Sequence, residues 1–582
     1  MLSSHEFVIQ RDSVRSCGML HRTLATLTVF ALWLAVSTIT TVAQDAIPMR
    51  HAWEADPDLG TVWLEPRDES ISVSDTVYYK KLLSSSDTRD QIAAAQWFAS
   101  VGTKLEPAER SAVAKLISPL LPKKELHRQV RQSLASAAIS VSSGDQSEAE
   151  KVWDSTHQDP SILPTLEQWV AERKFPFANQ LWKSRLSQAN ATELELSLAL
   201  KGIESLKLTD SVEDMVKLIQ RESMTQPLLL QACRSLGNIT KSGQVELAKS
   251  LRKSSFAGRD LMAARLIANH SDSSASQLAE ELLSSSYAPA KHLAYIWHVE
   301  HAVDRALDLA MKLKNDSDAL VRRLAIEQLF KSNEVKHVEA FGQCLNDTNV
   351  NNRRLVRQAL VDKYSNPSLV GLVESLLSAA LQPTFGAGSD QAIEAVVGVK
   401  SQKFNPQLID LLDHKLPEVR VRAAWAIAAL GFADSQQLQA IFTRCEKLTD
   451  EIATPARTPE DKDAMVAFLL ESLGKARHEP AKELLSRYIA KAVMPPLPRA
   501  SGIWSLGLVI EGSKDQKISS LLESRMLDNG PGGEDTPVRY ASALAVGLIR
   551  APESEKSLKR TNEQPPAPVG LAAAWALKEL EK

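Results

Sequence analysis

An all-α array of stacked helical hairpins is the fold class this sequence predicts, and three observations predict it. The stretch Val419–Gly431 places apolar residues at offsets 0, 4, 7, 8 and 11 from Val419, which fall on one face of a helix with 3.6 residues per turn. The frame recurs in Leu228 with Ala232 and Leu236, Val321 with Ala325 and Leu329, Val538 with Ala545 and Val546, and Val569 with Ala573 and Leu577. The starting positions Leu228, Gly258, Pro289 and Val321 are spaced by 30, 31 and 32 residues, and Val419, Met465, Pro498, Val538 and Val569 by 46, 33, 40 and 31. A period in this range marks a helical repeat array, because one short amphipathic helix buries its stripe only against stacked neighbours.

The elements follow in chain order. Residues 23–43 carry no charge and follow Arg22, with Ala43 before Gln44 as a cleavage point, so residues 1–43 read as an export signal or, uncleaved, a membrane anchor. Met19 offers an alternative start with a shorter basic end, and Cys17 precedes the apolar run, which excludes it as a lipoprotein acylation site. Residues 44–75, with Pro57, Gly60 and Pro66, lack a helical period and read as an irregular lead-in segment. Helical texture then runs over residues 76–582. Breaks are expected at Ser142–Asp145, Pro383–Asp390, Lys447–Pro459, Asn529–Pro537 and Pro565–Pro568. Glycines at offset 9, namely Gly237, Gly474, Gly507 and Gly547, are read as closing their helices, and Pro417 and Pro537 as belonging to first turns, where a missing N–H costs nothing.

Arginine follows the starting position in Val130-Arg131, Gly258-Arg259, Val321-Arg322, Val419-Arg420, Pro498-Arg499 and Val538-Arg539, and Asn315 and Asp413 stand six residues before Val321 and Val419. This pattern resembles the HEAT-repeat family. The resemblance covers roughly residues 76–582 and implies a right-handed α-solenoid of roughly 12–13 degenerate HEAT-like hairpins, with residues 145–215 fitting TPR-like hairpins equally well. It also implies that the arginines bridge successive repeats or meet carboxylates near helix starts; a basic ligand groove is the other reading.

Composition bounds the function. With 44% hydrophobic and 24% charged residues the chain is globular, and its net charge of −3, or −4 once residues 1–43 and their surplus of +1 are removed, gives no sign of nucleic-acid binding. Cys233, Cys344 and Cys445 stand 111 and 101 residues apart, about three repeats each, too far for disulfides between stacked helices, so three packed free thiols are expected. The cluster His292, His298, Glu300 and His301 puts two imidazoles three residues apart on a helix, a weak metal-ligand pattern without HExxH or a nearby cysteine. The segment 529–537 lacks phosphate-loop and calcium-loop spacing, and there is no Gly-x-Ser-x-Gly nucleophile elbow. No catalytic residue, cofactor or metal is assigned.

Trp425, Trp504 and Trp575 share offset 6, where Glu471 and Leu544 stand in the intervening repeats and Tyr295 in its own. At 100° per residue this offset lies at about 240°, away from the packing stripe near 25°. In the resembling family the second helix of each pair lines the concave surface, so Trp425, Glu471, Trp504, Leu544 and Trp575 form the expected protein-binding column. Armadillo solenoids pair such tryptophans with an asparagine one turn on; here Ala429, Leu508 and Glu579 stand there, and the alternative is that the rings wedge between adjacent inner helices. The expectation is a non-catalytic scaffold outside the cytoplasm, periplasmic or secreted, holding a protein or peptide client and touching the membrane only if residues 23–43 stay attached. The alternatives are a self-assembling structural envelope protein and an enzyme of the bilin lyase-like or DNA glycosylase-like HEAT folds.

Overall fold

The computed structural model describes residues 49, 51–52 and 73–582, apart from 143–145, 257, 387, 433, 454–459, 492–493 and 564–567. Residues 1–43 and most of the lead-in segment therefore lie outside the described residues, and the export or anchor reading with them. Among the described residues every regular element is an α-helix or a short 3-10 turn. They fall into two compact units, residues 73–332 and residues 333–582, the latter together with residues 49, 51 and 52.

Each unit is a HEAT-like stack of helical pairs. In the first, the second helix of each pair packs on the next in order, from Thr88–Val101 through Gln226–Ile239 to Ala319–Lys331. In the second unit the same ladder is built from Val350–Tyr364, Ser389–Gly398, Pro417–Leu430, Glu460–Lys475, Pro496–Val509, Thr536–Ile549 and Pro568–Leu580. The described helices supply eight pairs in the first unit and seven in the second, more than the roughly 12–13 expected, because first helices as short as Val212–Ile219 or Asn405–Asp410 carry too few offsets to register as a pattern. The predicted stripe is the core: Val419, Ala423, Ala426 and Ile427, and likewise Leu228, Ala232 and Leu236, or Val321, Ala325 and Leu329, are buried.

The recurrent arginine works at the helix start. Arg131, Arg259, Arg322 and Arg420 each reach back to carbonyls five or six residues earlier: Leu126 (3.2 Å), Ser254 (3.0 Å), Asp316 (2.8 Å) and His414 (2.9 Å). Several also cross to the next repeat. Arg131 pairs with Asp159, Arg420 with Asp461, and Arg499 makes a bidentate bridge to Glu534 at 2.6 and 2.7 Å. A guanidinium suits this position because its rigid fork satisfies carbonyls and a carboxylate together. Other helices start on short side-chain caps, as where Asp318 accepts from the N–H groups of Leu320 and Val321.

The offset-9 glycines have a different role from the one expected. Gly474, Gly507 and Gly547 lie inside their helices, which run on to Lys475, Val509 and Ile549. Each faces the offset-7 residue of the next second helix: a Cβ on Gly474 would stand 2.6 Å from Ser505 Cα, one on Gly507 2.8 Å from Ala545 Cα, and one on Gly547 2.7 Å from Ala576 Cα. Gly237 meets the Arg265 carbonyl in the same way in the other unit. These glycines set the spacing of the ladder. Gly431, by contrast, follows its helix at φ 73°, where glycine is favoured.

Residues 145–215 continue the helical pairs through a different core. Trp182, fully buried, fills the space left by Gly202, and its Nε1 donates to Glu167, which also pairs with Arg185 at 2.5 Å. Burial holds the Glu167 carboxyl above the usual range despite those partners. The expected break at Lys447 falls inside the helix Ser435–Ile452.

Candidate peptide-binding face

The five residues of the predicted column do not form an open row of platforms. Trp425, Glu471 and Leu544 are 4%, 1% and 2% exposed, while Trp504 and Trp575 are half-buried. The correction has a physical cause. The second helices approach so closely at their small residues that an indole between them is covered from the side. The Arg422 guanidinium lies 5.9 Å from the centre of the Trp425 ring, and Trp575 Cζ3 stands 3.2 Å from where a Cβ on Gly547 would be. Tyr295, assigned to the same outward offset, is fully buried and donates to the Ala306 carbonyl at 3.1 Å.

Glu471 is the position where this face engages something outside the repeats. Its Oε1 lies 2.5 Å from His51 Nδ1 and accepts the Ser501 hydroxyl at 2.8 Å, while its Oε2 accepts the Ala52 backbone N–H at 3.0 Å. The His51 ring stacks on Phe468, with centroids 4.4 Å apart and planes 14° from parallel. Phe468 and Glu471 occupy offsets 3 and 6 of one second helix and Ser501 offset 3 of the next, so the segment lies on the side of the ladder that the column was expected to mark. Lys475, one turn beyond Glu471, donates to the Ala428 carbonyl at 2.8 Å; burial pushes its ammonium below the usual lysine range, and the Glu471 charge partly offsets this.

A second buried carboxylate on the same ladder provides a comparison. Glu394, on Ser389–Gly398, is met by Arg357 from the preceding second helix and by Arg422 from the following one. Among the described residues Glu471 has no such pair: its ladder neighbours contribute the Ser501 hydroxyl, and its other donors are His51 and Ala52.

The other candidate sites serve the fold. His298 is buried with Nε2 3.5 Å from Glu280, and His301 Nδ1 sits 3.0 Å from the Trp297 carbonyl. Among the described residues no group of three or more His, Cys, Asp or Glu is placed to hold a metal ion. Cys233, Cys344 and Cys445 are free and buried, and Glu534 from the 529–537 segment serves as the partner of Arg499. Among the described residues no helix is long and apolar enough to cross a membrane.

No protein-family model matches this chain, and no curated protein matches it. Solved structures with similar folds include importin-β crystallised in ammonium sulfate, with 13% identity, 86% of this chain and 72% of that chain covered, and a TM-score of 0.44. Kap121p bound to Pho4p gives 10% identity, 87% and 57% coverage and a TM-score of 0.48. The CpcE–CpcF complex of phycocyanin lyase from Nostoc gives 15% identity, 47% and 94% coverage and a TM-score of 0.25. Likenesses at this level carry no argument about function, which rests on the chain's own residues.

Proposed function

We propose that this protein is a non-catalytic scaffold that holds a protein or peptide along the second-helix face of the unit formed by residues 333–582. The observation that carries the reading is the seating of His51–Ala52, a stretch outside the repeats, on Glu471 through its backbone N–H as well as its side chain. A face that captures one short segment from outside the repeats with the help of a main-chain hydrogen bond has the chemistry to capture another. The half-buried rings of Trp504 and Trp575 follow this position along the ladder, one and three second helices further on, and supply apolar contact area of the kind that anchors interfaces. The charge-free run at residues 23–43 supports a location outside the cytoplasm, periplasmic or secreted.

The test is capture from an envelope extract by the immobilised full chain, beside a variant carrying Trp504→Ala and Trp575→Ala. These rings are only half-buried, so the variant is expected to keep its helical signal while losing a specific partner. A partner retained equally by both proteins would remove this face from the binding function.

A further inference from the structure

We infer that Glu471, Phe468 and Ser501 form a recognition site for a peptide segment carrying a ring N–H donor followed directly by a backbone N–H, filled in this chain by its own His51–Ala52. The inference rests on the scaffold reading and names the ligand chemistry of its face, together with the competitor that a partner must displace.

The argument starts from what a buried carboxylate requires. Removed from water, it is tolerated only when its lone pairs meet donors. Glu394 meets this condition within the ladder through two guanidinium groups from adjacent repeats. At Glu471 the preceding repeat offers Trp425 at the matching offset and the following one offers the Ser501 hydroxyl. Lys475 is the nearby cation on the same helix, and its ammonium is directed to the Ala428 carbonyl. The site therefore takes its further donors from an incoming chain. One carboxylate holds two consecutive residues by accepting from the ring nitrogen on Oε1 and from the next amide on Oε2. Phe468 fixes the ring plane by stacking. The selected ligand is thus a histidine, or another ring with an N–H, in a segment whose next residue is not proline, since proline has no N–H to offer.

Because the occupant belongs to the same chain, it competes at an effective concentration on the order of 1 mM. A free peptide with an intrinsic dissociation constant of about 0.1 mM would then bind the intact protein roughly tenfold more weakly than a protein whose own segment cannot dock.

Two measurements on the full chain test this. In the first, hydrogen exchange is followed at the Ala52 amide. Protection is expected in the native chain and is expected to fall at least tenfold in Glu471→Gln and in His51→Ala, while the amides of Glu460–Lys475 keep theirs. Equal protection of Ala52 in the native chain and His51→Ala would overturn the site, and His51→Ala carries the test if Glu471→Gln also loosens the helix. In the second, a fluorescein-labelled peptide of residues 46–56 is titrated by anisotropy. Binding to His51→Ala is expected to be about tenfold tighter than to the native chain and to vanish in His51→Ala/Glu471→Gln. Equal binding to all three proteins refutes the assignment. A captured partner indifferent to His51→Ala and Glu471→Gln would leave the scaffold reading standing and remove this site from it. Protection of Ala52 as expected, with no partner captured by any of these proteins, would keep the site and remove the scaffold reading.

Discussion

Replacing Gly474 by alanine sets two physical effects of opposite sign against each other. Within an isolated helix, Gly→Ala is stabilising by up to about 1 kcal/mol, and by less near a helix end, because glycine loses more backbone entropy on folding. In this ladder the new methyl would stand 2.5 Å from Ser505 Cβ and 2.6 Å from Ser505 Cα. Carbon contacts settle at about 3.5–4.0 Å, so the two second helices must separate locally by roughly 1 Å. One of the obstructing atoms is backbone, which cannot rotate away, and overpacking of this kind costs about 1–3 kcal/mol. The packing effect wins, for a net loss of roughly 1–2 kcal/mol. For a unit spanning residues 333–582 this lowers the thermal midpoint by roughly 2–8 °C. Gly371 provides the matched control: it lies in the helix Val370–Ala380 and a Cβ there meets nothing within 4 Å, so Gly371→Ala should raise the midpoint by roughly 1–3 °C. Thermal melts followed by far-UV circular dichroism read both. A rise for Gly474→Ala matching that of Gly371→Ala would refute the claim that these glycines set the helix spacing.

The buried bidentate bridge predicts strong non-additivity: Glu534→Ala strands the Arg499 guanidinium and should cost about 3–5 kcal/mol, whereas Arg499→Met with Glu534→Leu should recover most of it, as read from urea midpoints. Cys233 and Cys445, whose thiols burial pushes up to about 12, should react with a disulfide reagent no faster than the protein unfolds; prompt modification in native buffer would contradict their packing. Burial holds His270, His292, His298 and His478 below the usual imidazole value, so the unfolded chain takes up protons first on acidification. Their contribution is therefore complete above about pH 6.5 and is lost as pH falls through that value toward the depressed folded values, which should lower the urea midpoint; a midpoint that rises over that window would oppose the assignment.

The fold was legible because its determinants are local. Offsets 0, 4, 7, 8 and 11 describe one stripe on one helix, and most of that stripe is buried, as at Val419, Ala423, Ala426 and Ile427, with Leu430 at its end half-buried. The offset-1 arginine was legible for the same reason, since Arg322 and Arg420 act on carbonyls five or six residues away. Residues 145–215 were harder to read because a single large ring, Trp182, replaces several small apolar positions and needs Gly202 to make room, a pairing with no fixed spacing. The glycines at offset 9 were assigned to helix ends because helix termination and close approach use the same residue; what separates them is the next repeat's small residue at offset 7, as in Gly474 with Ser505 and Gly547 with Ala576.

The functional face shows where reading one repeat at a time runs out. Helical geometry places offset 6 away from the core, and the same side of the ladder receives the His51 segment at Glu471. Periodicity within one helix does not encode the flanks, however, and on a ladder with close seams the flanks decide exposure. Trp425 is covered from the side while Trp504, at the same offset, remains half-buried. Nor could spacing reveal the partner of Glu471, because His51 lies 420 residues away and outside the repeats. The informative signal was a mismatch of residue type. An acid in a column of indoles and leucine is costly to bury alone, and along this ladder another buried acid, Glu394, is matched by arginines in both adjacent repeats, and Glu579 is matched by Arg550. The repeats flanking Glu471 present Trp425 and Ser501 instead. The guanidinium groups of those two repeats are engaged elsewhere, Arg420 with Asp461, Arg422 with Glu394 and Arg499 with Glu534, so the donors that Glu471 lacks on the ladder come from another segment.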